Sequence, residues 1–341
     1  MISASFSLIS CVFMKNIEND SLLIENNNHQ SRLFSFVKWA VLVVAYFVVI
    51  YKLATFDDYD LLFACIRNIT YSQCVGLIVI LLLFPVNYLL EALKWKVSIS
   101  GIANISLRSA IISTFVGNVG AIITPNRLGD YPVRATYLGL KNKVEAVMLG
   151  MIGSAMLSLV IVVFGVFALI HYISAFGIQI VNKYYFYLLF LIISSAFVLI
   201  LLLPFVMSKI HFEKIRNKFL YNLFSEMSKM NYPMLLKITL LSLLRYVVFF
   251  SQYAIILSFF SSQITIVNAL LVIPIVYLFT TITPTISASE AATRAGYALL
   301  LFEPMGVAAP AVIIATLFLW IVNNGIPICV GFILSHFKVI K

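Results

Sequence analysis

Two acid–arginine pairs carry most of the chemistry this sequence can offer. Asp130 and Arg134 stand four residues apart, as do Glu290 and Arg294, and each pair follows an "ITP" tripeptide, in "ITPNRLGDYPVRATYL" and "ITPTISASEAATRAGYAL". In both stretches the acid follows the proline by five or six residues, the arginine follows the acid by four, and a tyrosine (Tyr137, Tyr297) comes three later. A spacing of four puts acid and arginine on the same helix face, so each carboxylate can hold its guanidinium in place. An arginine held this way still presents donors in a planar fork that suits phosphate. Pro125 and Pro284 break a helix, which frees backbone N–H groups and exposes a helix N-terminus that favours an anion. Gly129 permits close backbone approach. The expectation is that Arg127, Arg134 and Arg294 bind a phosphate-bearing headgroup, while Asp130 and Glu290 orient them or exchange protons. The same pairs could also serve to pin the fold.

Further polar residues stand inside apolar runs. Glu91 and Lys94, in "NYLLEALKWK", and Arg245 are secondary candidates for the same site, although Arg245 could instead snorkel to the interface. Asn323, Asn324, Gly325 and Pro327 interrupt the last apolar run and predict a kink. Gly150, Ser154 and Ser158 repeat at four-residue spacing, which predicts close helix packing and leaves a homodimer interface as an alternative use.

The elements that must position these residues are membrane helices. The chain is 62% hydrophobic and 11% charged, with 28 Phe and 17 Tyr, and its mean hydropathy is +1.05. Apolar runs of roughly 20 residues recur, long enough for the roughly 30 Å hydrocarbon core, and they lack the alternation of barrel strands. The expected fold is an all-α polytopic membrane protein. Six full spans are expected at about 34 to 53, 73 to 93, 145 to 172, 184 to 207, 238 to 260 and 307 to 335. The two "ITP" stretches, at about 106 to 140 and 268 to 300, begin apolar and turn polar at a proline, which predicts re-entrant or half-helix hairpins.

Charge asymmetry orients the spans. Lys94, Lys96 and Arg108 in one connection, and Lys209, Lys214, Arg216, Lys218, Lys229 and Lys237 in another, mark the cytoplasmic side; Asp57, Asp58 and Asp60 mark the outside. Both termini are then cytoplasmic, and the two hairpins enter from opposite faces as an inverted repeat. Residues 1–33 are expected to be a flexible polar tail, with Met1 or Met14 as the start, and residues 34–341 a single membrane domain. At about 208 to 232, Phe212, Ile215, Phe219 and Leu223 share one helical face, which predicts an amphipathic helix on the cytoplasmic leaflet.

The net charge of +10 is spread over the connections and forms no basic domain, so nucleic acid is not an expected partner. Cys11, Cys65, Cys74 and Cys329 form no CxxC pair, and His29, His171, His211 and His336 are scattered, so no metal site or cofactor is expected.

The run "NYLLEALKWKVSISG" followed by "GNVGAIITPNRLGDYPVRATYL" resembles the flippase-like transmembrane region of lysylphosphatidylglycerol synthases. Pro125, Arg127, Gly129, Asp130 and Arg134 match that family's pattern position by position, with Asp where Glu is usual. Lys94 and Trp95 match its basic–Trp pair, with Lys where Arg is common. The second element keeps Pro284 and Glu290 but has Ser and Ala where the family is Gly-rich. The resemblance implies a cytoplasmic-membrane domain that moves lipids between leaflets. Its partners would be anionic phospholipids or lipid-linked headgroups, with a separate lipid-modifying enzyme as a further option. In the synthases this region is fused to a soluble aminoacyl-transferring domain; no soluble stretch of that size is visible here, so that activity is not expected. A membrane enzyme using Asp130 or Glu290 as general base on a lipid phosphate, or a non-catalytic accessory subunit, are the competing classes.

Overall fold

A computed structural model of the chain describes residues 70–122, 124–175, 187–195, 230–261, 263–285 and 287–335, with isolated residues 184, 198 and 202. Among the described residues the regular structure is entirely helical. Helix α1 (Tyr71–Ser98) starts at a reciprocal cap, in which the Thr70 hydroxyl accepts from Gln73 N–H and the Gln73 amide oxygen accepts from Thr70 N–H. It continues through Pro85, whose missing N–H a helix in lipid tolerates when neighbouring helices cover the break. Helices α2 (Leu107–Ala121) and α3 (Asp130–Tyr137) follow, joined by a 3-10 turn at Pro125–Arg127. Then come α4 (Lys143–Ala175), α5 (Tyr232–Phe260), α6 (Ile266–Ile282) and α7 (Ser287–Phe302). The last span is α8 (Ala309–Trp320), a π-turn (Ile321–Gly325) and α9 (Ile326–Leu334).

Length separates these helices into two kinds. At about 1.5 Å per residue, α1 runs roughly 42 Å and α4 roughly 50 Å, so both exceed the hydrocarbon core. Four segments are long and apolar enough to cross: Gln73–Ser98, Lys143–Ala175, Tyr232–Phe260 and Ala309–Leu334. These match four of the six expected spans. Of the span expected at 184 to 207, residues 187–195 are described and are helical. The first span, the N-terminal tail and almost all of the amphipathic segment at 208 to 232 lie outside the described residues. By contrast α2 and α3 reach roughly 22 Å and 12 Å, and α6 and α7 roughly 26 Å and 24 Å, so each pair folds back on itself as a hairpin. Both hairpins make that contact, α2 with α3 and α6 with α7.

Apolar packing places the hairpins at opposite ends of the same three helices. One buried cluster joins Tyr131 and Ala135 of α3 to the C-terminal half of α1 (Ala92, Trp95), the N-terminal half of α4 (Leu149, Ile152) and the start of α5 (Leu235). The other joins α6 and α7 (Ile273, Phe302) to Ile80 of α1, Ile161 of α4 and Tyr253 of α5. The hairpin tips meet between them. Asn126 N–H donates to the Thr285 carbonyl at 2.8 Å, Thr285 N–H donates to Asn126 Oδ1 at 3.2 Å, and the Ser287 hydroxyl donates to the Ala121 carbonyl at 3.0 Å.

Candidate functional site

The first hairpin is fastened by one threonine. The Thr124 hydroxyl donates to the Gly120 carbonyl at 3.0 Å and accepts from Gly129 N–H at 2.8 Å, tying the second leg to the first. Gly120 and Gly129 face each other, and a Cβ on either would overlap the other's carbonyl oxygen. Two consecutive residues at the tip, Asn126 (φ 51°) and Arg127 (φ 60°), are left-handed without being glycine, a conformation that costs of order 1–3 kcal/mol per residue and clusters at functional positions. In the second hairpin the corresponding threonine, Thr283, donates to the Phe279 carbonyl or pairs with the Tyr297 hydroxyl at 2.7 Å, again joining the two legs. The matching tyrosine of the first hairpin, Tyr137, instead donates to the Leu334 carbonyl on α9 at 3.4 Å.

Between the hairpins lies a cavity of about 390 Å³, walled by α1, α4, α5 and the π-turn as well as by both hairpins. Arg127, Arg134, Arg245 and Arg294 line it, with Glu91, Asp130 and Glu290. Within the first hairpin, Arg134 Nε donates to Asp130 Oδ1 at 2.6 Å and its Nη2 to Oδ2. The guanidinium lies over the adjoining rings of Trp95 and Tyr131, 5.7 Å and 5.1 Å from their centres, where cation–π attraction is strongest for a desolvated charge. Arg294 repeats the construction: it pairs with Glu290 and lies 5.2 Å from the Tyr277 ring. One guanidinium nitrogen of each, Nη1 of Arg134 and Nε of Arg294, is buried without a hydrogen-bond partner.

Glu91 is the hub. It is 3% exposed, yet it meets Lys94 Nζ at 2.8 Å, Arg134 Nη2 at 3.1 Å and Arg245 Nη1. Burying three cations is tolerable only because the carboxylates are in contact with them. Arg245 therefore turns inward rather than snorkelling, and its Nε donates to Asn87 Oδ1 at 2.8 Å. From Asn87 a chain of amides runs on: Asn87 Nδ2 to Asn323 Oδ1 at 3.0 Å, Asn323 Nδ2 to Gln252 Oε1 at 3.0 Å, Gln252 Nε2 to the Ile80 carbonyl at 3.2 Å. The Tyr88 hydroxyl donates to the Asn323 carbonyl at 2.9 Å, covering a backbone acceptor in the π-turn. The kink expected at Asn323 and Asn324 is thus a π-turn whose amides face the cavity region.

Arg127 differs from the other three arginines. It donates from Nη1 to Asn324 Oδ1 and from Nη2 to Asn118 Oδ1, both neutral amides, and no ion pair holds it among the described residues. Lys94 touches Glu91 from outside the cavity wall. Pro125 opens the turn and Pro284 follows the end of α6, so both prolines mark hairpin tips. The small-residue stripe on α4 faces inward: Gly150 lies against the Tyr131 ring, and Ser154 and Ser158 line the cavity. Among the described residues no group of three metal-ligating side chains occurs.

The sequence alone does not single out Asn118, Asn126, Tyr131, Gln252 or Thr285. For Asn118 and Gln252 the one visible signal is that a side-chain amide within an apolar run needs a partner in lipid.

The family profile of the lysylphosphatidylglycerol synthase TM region matches residues 36–331. The chain belongs to this family. It is a multi-pass membrane protein, as the match and the four crossing helices together require. No curated protein and no solved structure matches the chain.

Proposed function

We propose that the chain is a lipid translocator of the cytoplasmic membrane, moving lipids with anionic or phosphate-bearing headgroups from one leaflet to the other. The observation that carries this reading is the shared cavity. Both hairpins contribute an acid–arginine pair to one polar space, and their tips meet across it. A volume near 390 Å³ falls within the usual range of about 300–1,000 Å³ for small-molecule sites, enough for a headgroup while the hydrocarbon chains stay among the helices. Because the hairpins pack against opposite ends of α1, α4 and α5, opening one hairpin at a time would expose the cavity to alternate leaflets, as inverted-repeat transporters do.

Vesicles reconstituted with purified protein and a trace of fluorescent phosphatidylglycerol test this. Dithionite bleaching should reach inner-leaflet label in protein-containing vesicles. Ser158→Phe, which fills the cavity while leaving every charge in place, should restrict bleaching to the outer leaflet. Equal bleaching by wild type, Ser158→Phe and empty vesicles removes the basis for the reading.

A further inference from the structure

We propose that the lipid this cavity is built for ends in a phosphomonoester, and that Arg127 is the residue that grips it. The inference rests on the cavity being the lipid site and goes further by naming the headgroup chemistry.

Three of the four cavity arginines are already committed. Arg134 pairs with Asp130 and Glu91, Arg245 with Glu91, and Arg294 with Glu290. Among the described residues Arg127 has only the oxygens of Asn118 and Asn324. A guanidinium carries five N–H donors, so three of Arg127's remain for a ligand. A partly buried charge satisfied only by neutral acceptors is unfavourable unless something of opposite sign arrives. Arg127 and Arg245 are the partly exposed members of the set, whereas Arg134 and Arg294 are buried, and of the two only Arg127 has no carboxylate partner among the described residues. The left-handed backbone at Asn126 and Arg127, tied by the Asn126–Thr285 hydrogen bonds, fixes this side chain at the junction of the two hairpins.

The charge balance selects the ligand. Among the described residues, the four arginines and three carboxylates that line the cavity, together with Lys94 paired to Glu91 behind its wall, sum to a surplus of two positive charges. A phosphodiester headgroup such as phosphatidylglycerol brings one negative charge and leaves half the surplus. A phosphomonoester carries about −1.5 to −2 at neutral pH and three terminal acceptor oxygens, matching both the surplus and the free donors of Arg127. The hydroxyls of Ser154, Ser158 and Thr281 stand in the same wall.

The test uses the full chain in detergent with three probes: dihexanoyl phosphatidic acid, dihexanoyl phosphatidylglycerol and inorganic phosphate. Phosphatidic acid should bind at least about tenfold more tightly than phosphatidylglycerol, as one further neutralised charge predicts, and more tightly than inorganic phosphate. Arg127→Gln should erase that preference. Asn118→Asp supplies Arg127 with a carboxylate in place, so it should weaken phosphatidic acid binding without lowering the melting temperature, an outcome that misfolding cannot imitate. Inorganic phosphate binding as tightly as phosphatidic acid would mark a free-anion site and overturn the lipid assignment. Equal binding of the two lipids, or an Arg127→Gln protein that keeps the preference, overturns the inference outright. Vesicles carrying labelled phosphatidic acid or phosphatidylglycerol separate the two levels: transport of both at equal rates leaves a translocator without this selectivity, whereas tight phosphatidic acid binding without transport of either supports the site and removes the translocator.

Discussion

Replacing Glu91 by Gln should be among the most destabilising isosteric changes in the chain. Gln keeps the shape and one acceptor oxygen but removes the charge that Lys94, Arg134 and Arg245 share. At an effective dielectric near 20, each contact pair is worth roughly 4 kcal/mol before desolvation is subtracted. Removing one partner of a buried ion cluster costs about 3–5 kcal/mol net, because the others stay buried and uncompensated. With Asp130 the only carboxylate left beside Arg134 among the described residues, the expected loss for Glu91→Gln is about 3–5 kcal/mol. The double variant Glu91→Gln with Arg245→Gln removes one of the stranded cations and should recover about 1–3 kcal/mol relative to additivity. Glu290→Gln frees a single arginine in a less buried place, with side chains 10% and 14% exposed, and should cost less than Glu91→Gln. Unfolding by titrated denaturing detergent, followed by circular dichroism, measures wild type, Glu91→Gln, Arg245→Gln, the double variant and Glu290→Gln. A Glu91→Gln protein within about 1 kcal/mol of wild type, or strict additivity in the double variant, would refute the reasoning that Glu91 holds the cluster together.

Other consequences are equally concrete. A Cβ at Gly117 would overlap Asp130 Oδ1 and crowd the Arg134 side chain, so Gly117→Ala should destabilise by about 1–3 kcal/mol; an unchanged melting temperature would contradict the hairpin packing. Tyr88→Phe leaves the Asn323 carbonyl without its donor and should cost about 1–2 kcal/mol, with faster amide exchange confined to residues around 321–325. In a cysteine-free background, Tyr71→Cys at the exposed start of α1 should react with an impermeant maleimide added to whole cells, and Lys96→Cys should not; the reverse pattern would invert the orientation read from the charges.

How far the sequence carries depends on the range of each interaction. The pairing of Asp130 with Arg134 and of Glu290 with Arg294 is legible because helix geometry alone sets a spacing of four, and both pairs form. The hairpins are legible too, since a proline within a short apolar run leaves too little helix to cross. Glu91 is different. In "NYLLEALKWK" it reads as an acid near a span end, and its place at the centre of the charge cluster exists only because α1 packs beside α3 and α5. Arg127 likewise reads as one cation among several, and what distinguishes it, amide partners in place of a carboxylate, comes from Asn118 on α2 and Asn324 in the π-turn. The tip contact between Asn126 and Thr285 joins residues 159 apart in sequence, and no local pattern announces it.

The most direct measurement joins the two tips covalently and watches lipid move. With the four natural cysteines replaced, Asn126→Cys and Thr285→Cys can be bridged by a short cleavable thiol cross-linker in reconstituted vesicles. Alternate opening of the hairpins predicts that translocation of a labelled anionic phospholipid stops on cross-linking and returns when reductant cleaves the bridge. Translocation that continues unchanged through a completed cross-link would contradict a pathway gated by these tips.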